Sequence, residues 1–84
     1  MELKDQFRKA AEDIKKLTGR PSNETLLELY ALFKQGNEGD VTGSRPGLLD
    51  LKGRAKFDAW SKKRGTPQDL AMKLYIELVE KLLK

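Results

Sequence analysis

Apolar residues Leu3, Phe7, Ala10, Ala11, Ile14 and Leu17 recur at steps of three and four, the spacing that places them on one face of an amphipathic helix. The spacing predicts a first helix that runs to Gly19, where glycine followed by Pro21 halts helical geometry. Ser22 suits the N-cap of a second helix, and Glu24 falls in its first turn beside the positive end of the helix dipole. The apolar positions of that helix, Leu26, Leu27, Leu29, Tyr30, Leu32 and Phe33, cover more than one stripe, so it must touch two neighbours or line a groove.

From Gly36 to Asp50 the pattern breaks. Gly36, Gly39, Gly43, Gly47 and Pro46 stand among small polar residues, and no regular element is expected there. A connection of this length exceeds the two to eight residues usual between bundle helices, and it can return the chain so that the next helix starts parallel to the last. Arg45-Pro46-Gly47 reads as a turn, with Leu48, Leu49 and Leu51 expected to pin the loop onto the core.

A third helix is predicted from about Asp50 to Lys63, with Leu51, Ala55, Ala59 and Trp60 inward. Gly53 in its interior costs about 1 kcal/mol relative to alanine and so implies close packing. After Gly65, Thr66 as N-cap, Pro67 at the first helical position and Asp69 in the first turn start a fourth helix, whose inward residues are Ala71, Leu74, Tyr75, Leu78, Val79 and Leu82. No strand-period alternation competes. The expected fold class is all-α, a four-helix bundle with a long loop between the second and third helices.

Composition narrows the chemistry. The 84 residues carry no cysteine and no histidine, which removes disulfides, thiol chemistry and the commonest general base and metal ligand. Nothing approaches the roughly 18 consecutive apolar residues of a membrane span, and the charged N-terminus does not resemble a secretory leader; a cytoplasmic protein is expected. The net charge of +4 favours anionic partners. Between Arg45 and Arg64 seven basic residues face only Asp50 and Asp58, so an anion site should involve this segment.

Tyr30, Phe33 and Lys34 stand at i, i+3 and i+4 near the end of the second helix, Lys52 and Lys56 one turn apart on the third, and Tyr75 on the apolar face of the fourth. Rings for stacking and cations for phosphate are the means of binding a nucleotide-like anion. Each is also ordinary taken singly: lysines sit on solvated surfaces, aromatics fill cores, and a lysine late in a helix complements the dipole. Phosphate-loop, dinucleotide, hydrolase-elbow and zinc-protease motifs are missing, the carboxylates are explained by pairing with lysines along helices, and the glycine loop lacks the ligand pattern of a calcium site. An enzyme is not expected, nor a catalytic residue, metal or cofactor.

The ordered run "YALFKQGNEGDVTGSRPGLLDLKGRAKFDAW", followed by Gly65-Thr66, Ala71-Met72 and Tyr75, resembles the acyl-CoA-binding protein family across essentially the whole chain, taken as one domain, 1–84. The resemblance implies an up-down-down-up bundle that binds medium- and long-chain acyl-CoA thioesters in the cytoplasm, without catalysis, as a pool former and carrier in fatty acid metabolism. It implies that Tyr30 and Lys34 contact phosphates and nucleotide, Phe33 the adenine region and Lys56 the ribose 3′-phosphate, with Lys15 and Lys52 supplementing them, Tyr75 closing over the ligand, and Ala31 and Leu32 in the same segment. A groove for the acyl chain is expected from Phe7, Ala10 and Ala11 facing Leu26 or Leu27. Long-chain acyl-CoA is the expected ligand and a monomer the expected state, with acyl-CoA-using enzymes or membranes as donors and acceptors and no nucleic acid. Phe33 stands where the family usually has tyrosine, Phe57 where it has tryptophan, and Leu51 where phenylalanine is common. The alternative reading is a basic helical module that binds nucleic acid or a membrane surface.

Overall fold

Phe7 shows how the helices lie, because its ring stacks on Phe33 at 5.3 Å and meets the edge of Tyr75 at 5.2 Å, joining three elements at one point. The computed structural model describes residues 2–84, with α1 at Leu3–Asp13, a 3₁₀ turn at Ile14–Lys16, α2 at Asn23–Glu38, α3 at Leu51–Ser61 and α4 at Gln68–Leu83. Along α1 and α4 the neighbours advance together: Phe7 borders Met72, while Asp13 shares a cleft with Glu80. Along α2 and α4 they advance oppositely, Gly36 facing Gln68 and Phe33 facing Tyr75. Between α2 and α3 the sense is shared again, since Lys56 lies over Tyr30 and, one turn later, Lys34 over Trp60. The topology is up-down-down-up, all-α, with the long loop joining the two parallel helices.

The core gathers Phe7 and Ala10 of α1, Leu29 and Leu32 of α2, and Met72, Tyr75 and Val79 of α4. Burying each of the larger side chains contributes about 1.5–3 kcal/mol. α4 packs on both α1 and α2, whereas α3 packs on α2. That answers the two-sided apolar pattern of α2, which touches two helices and still leaves part of one face open.

Helix ends depart from the pattern in informative ways. α1 stops at Asp13, short of Gly19: the next turn tightens to 3₁₀, Leu17 N–H donates to the Ile14 carbonyl at 3.1 Å, and Leu17 is already extended. The tightened turn satisfies terminal carbonyls, and Pro21 disfavours helical geometry at Arg20. α2 starts as expected, Ser22 Oγ accepting from the Thr25 N–H at 3.1 Å, but continues through Gly36 to Glu38 and ends only at Gly39, φ 86°. Gly36 belongs to the helix because a Cβ there would lie 3.1 Å from both Met72 Cγ and Phe7 Cζ.

In α3, Asp50 is the N-cap, accepting from the Gly53 N–H at 2.9 Å. The close approach inferred for Gly53 is to this cap and not to another helix, since a Cβ would run into the Asp50 carboxylate. Trp60 is the one buried residue of α3; Ala55 and Ala59 are half-buried. α4 begins at Gln68, with Pro67 in the cap position and no side-chain cap from Thr66. Its buried stripe is Ala71, Met72, Tyr75 and Val79, while Leu74 faces solvent.

Polar bonds, and not the leucines, fasten the long loop. Buried Gln35 donates from Nε2 to Asp40 Oδ1 at 2.9 Å and to the Thr66 carbonyl at 2.8 Å. The same Asp40 oxygen accepts from the Gly65 N–H at 2.8 Å, and Trp60 Nε1 donates to the Gly39 carbonyl at 2.9 Å. Arg45 grips Asp58 through two hydrogen bonds of 2.9 and 2.7 Å, and Val41 is the loop's buried apolar residue. Leu48, Leu49 and Leu51 lie out in solvent, because the turn closed by Asp50 N–H to the Gly47 carbonyl presents them to no neighbouring helix.

Candidate functional site

A groove of about 750 Å³ opens between α1, its 3₁₀ turn and α2, within the range of small-ligand sites. Ala11 and Ile14 line one wall, Leu26 and Leu29 the other, and Phe33 and Tyr75 extend the apolar surface. The groove exists because α1 rests on α4 while small Ala11 leaves space toward α2. Beyond Phe33 a second recess of about 420 Å³, bordered by Gly36 and Met72, shares Ala11, Glu12 and Phe33 with the first. The half-buried Phe33 ring is the wall between them.

Cations stand around this apolar surface. Lys15 and Arg20 line the groove from the α1 side, and across it the Lys56 ammonium lies 5.4 Å from the centroid of the Tyr30 ring, itself part of the lining. Among the described residues Lys15 is held only by a 3.4 Å ion pair to Glu12 in which both side chains are largely exposed, a pair worth about 0–1 kcal/mol and easily exchanged for a phosphate. Lys34 sits 4.8 Å over Trp60 and pairs with Glu38. Lys52 is exposed, one turn before Lys56 on the same helix. Tyr75 is buried, and burial pushes its phenol pKa up; its hydroxyl has no hydrogen-bond partner among the described residues and is therefore a free donor beside the groove.

The structure thus brings together Lys15, Tyr30, Phe33, Lys56, Tyr75, Ala11 and Leu26. It separates others expected at the site. Ala31 and Leu32 are 0% and 3% exposed and belong to the interior, since consecutive helical residues point about 100° apart. Ala10 is a core residue, Phe7 lies behind Phe33 in the second recess, and Leu27 lines a cleft between α2 and α3 instead of the groove. Lys34 and Lys52 flank Lys56 without lining the groove. Arg20 escaped the sequence reading: it follows the end of helical periodicity, and its guanidinium is fixed by donating to Asn23 Oδ1 at 2.9 Å.

The family model of the acyl CoA binding protein matches residues 4–79. The chain belongs to that family. An acyl-CoA-binding protein homolog of Manduca sexta is 55% identical over 84 residues, covering 99% of this chain and 93% of the relative. The acyl-CoA-binding protein of Brassica napus is 52% identical over 84 residues, covering 100% and 91%. Among solved structures, the crystal structure of Oryza sativa acyl-CoA-binding protein 2 superposes with a TM-score of 0.92 at 44% identity, over 96% of this chain and 88% of that one. The solution structure of the yeast acyl coenzyme A binding protein gives 0.73 at 42% identity, over 92% and 90%. The groove pairs an apolar floor with a cationic rim, and the described residues hold no cluster able to bind a metal.

Proposed function

We propose that the chain, acting as one monomeric domain in the cytoplasm, binds medium- and long-chain acyl-CoA thioesters with high affinity and carries them as a protected pool, without catalysis. The observation that carries this reading is the continuity of one apolar groove with Lys15, Arg20 and Lys56 around Tyr30. A ligand that satisfies both parts has an apolar tail and a polyanionic, aromatic head. In this reading Lys56 takes the 3′-phosphate, Lys34 and Tyr30 the remaining phosphates and nucleotide with Lys15 and Lys52 supporting, and Phe33 offers a ring to the adenine, a stack worth about 1–3 kcal/mol. The acyl chain lies along Ala11, Leu26 and Leu29, and the Tyr75 hydroxyl donates to the head or the thioester region. Enzymes that use acyl-CoA, or membranes, supply and receive the ligand.

Titration calorimetry with palmitoyl-CoA, octanoyl-CoA, CoA and palmitate tests the reading. Each methylene buried contributes up to about 0.8 kcal/mol, so eight further carbons strengthen binding by at most about 6 kcal/mol. One-to-one binding that tightens with chain length and needs the CoA head is the expected result; equal affinity for palmitate, or none for any of the four, overturns it. The nucleic-acid alternative draws less support, because Arg45 is committed to Asp58 and Lys63 to Glu28, which breaks the basic segment into separate points.

A further inference from the structure

The recess of about 420 Å³ behind Phe33 has the size of a small-molecule site, and the carrier function gives it no task. Its floor is apolar and largely aromatic, formed by Phe7, Phe33 and Met72. Two phenyl rings and a thioether favour an aromatic partner over an aliphatic one, through ring pairing and sulfur–ring contact. Gly36 adds a bare stretch of backbone to the wall. Phe33 is held against Phe7 at 5.3 Å and against Tyr75 at 5.7 Å, so the wall between groove and recess stands and both spaces can be filled at once.

The rim of the recess is cationic. Lys4 and Arg8 stand one helical turn apart on α1 at its edge, both exposed and neither ion-paired among the described residues. Glu12 is the one acid among the described residues of the lining, and it pairs with Lys15 at 3.4 Å. Two cations against one carboxylate leave a single net positive charge at the mouth, which matches a monoanion. From the other side the amides of Asn37 and Gln68 complete the rim. Gln68 Nε2 donates to the Gly36 carbonyl at 3.2 Å, which fixes the side chain and leaves its second N–H for a ligand.

We propose that this recess is a second ligand site, separate from the acyl-CoA groove, and that it takes a small aryl carboxylate. The ring lies against Phe7, Phe33 and Met72, and the carboxylate lies against Arg8 and Lys4. A guanidinium grips a carboxylate through two parallel hydrogen bonds, whereas an ammonium acts as a point charge; Arg8 is therefore the anchor and Lys4 the auxiliary. A phosphate ester carries more charge than this rim answers, and an uncharged hydrocarbon leaves both cations without a partner.

The experiment titrates naphthoate into isotope-labelled protein free of acyl-CoA, with backbone amide shifts as the readout, so that it stands or falls apart from the carrier reading. Saturable shifts are expected at Lys4, Arg8, Gly36, Asn37 and Gln68, with Lys15, Leu17 and Leu26 in the groove unmoved. Naphthamide, which keeps the shape without the charge, should bind roughly tenfold more weakly, and octanoate, which keeps the charge without the ring, should also bind more weakly. Arg8→Gln should lower naphthoate affinity roughly tenfold and leave the melting temperature and palmitoyl-CoA affinity unchanged, since Arg8 is exposed and lies outside the groove. Naphthoate should still bind after the protein is saturated with palmitoyl-CoA. The absence of saturable shifts, shifts centred on the groove, displacement by palmitoyl-CoA, or an affinity indifferent to Arg8→Gln overturns the second site; naphthamide or octanoate binding as tightly as naphthoate overturns the aryl carboxylate as its ligand.

Discussion

A lysine ammonium 5.4 Å from a tyrosine ring gains about 0.5–1 kcal/mol at an exposed site, whereas a hydrogen bond to a charged group is worth about 1.5–3 kcal/mol. A phosphate arriving over Tyr30 therefore takes Lys56 from the ring. Lys56→Ala should weaken acyl-CoA binding by about 1.5–3 kcal/mol without unfolding the protein, as read by calorimetry alongside a thermal melt; an unchanged dissociation constant would remove Lys56 from the site. Tyr75→Phe should cost less, about 0.5–1.5 kcal/mol, because the ring keeps its contacts with Phe7 and Phe33 and only one neutral hydroxyl is lost. The reverse order would make that hydroxyl the main anchor. The sequence could place Tyr30 and Phe33 on one face because i, i+3 spacing fixes a helical face, and both border the groove. Ala31, Leu32 and Ala10 lie in the interior and Leu27 in the cleft between α2 and α3, positions the sequence left open because a helix turns each successive residue toward a different neighbour.

Among the elements, α2 decides most, and its end was the least legible part of it. Gly36 looked like the first residue of a loop since glycine weakens helices, yet here the missing Cβ admits Phe7 and Met72. Gly36→Ala gains about 1 kcal/mol in helix propensity, against about 1–3 kcal/mol for overpacking. Met72 can move, but the Phe7 ring is held between Phe33 and Tyr75. We expect a net loss of about 1 kcal/mol and a lower urea midpoint; a higher midpoint would mean that the Phe7 stack yields. The long crossover was legible from glycine content, but its fastening depends on Asp40, which accepts from Gln35 five residues earlier and from the Gly65 N–H 25 residues later, pairings that no local pattern shows. The Gly65 N–H, then the Gln35 amide, hold the Asp40 carboxyl below its ordinary value of 3.8. A depressed carboxyl pKa stabilises the fold above the unfolded value, and that contribution is lost as pH falls through the folded value. The stability difference between wild type and Asp40→Ala should therefore be full at neutral pH and shrink below pH 3.8, measured by urea unfolding across the acid range. A difference constant down to the lowest pH would mean that the charge on Asp40 contributes nothing.

For the molecule as a whole, the groove is the consequence of unequal packing. α1 lies on α4 and reaches α2 mainly through the Phe7–Phe33 stack, so toward its C-terminal end Ala11, Ile14 and the 3₁₀ turn face open space instead of Leu26 and Leu29. A bundle that filled this space would be more stable and would have no site. In the proposed reading, an acyl chain lying there would supply the missing apolar contact, and its head would tie Lys15 on the α1 side to Tyr30 and Lys56 on α2 and α3. Anything that binds only the folded state stabilises it by mass action, but the protection should be uneven, because regions with few buried contacts open most readily. Hydrogen exchange should slow most in Ala11–Leu17, whose α2-facing side is uncovered without ligand. It should slow least in the second half of α4, around Val79, already buried between its neighbours. Palmitoyl-CoA should give the full effect and CoA alone only the part around Tyr30 and Lys56. Equal protection of Ala11–Leu17 by CoA and by palmitoyl-CoA would show that the chain does not lie between α1 and α2, and would move it to the recess beyond Phe33.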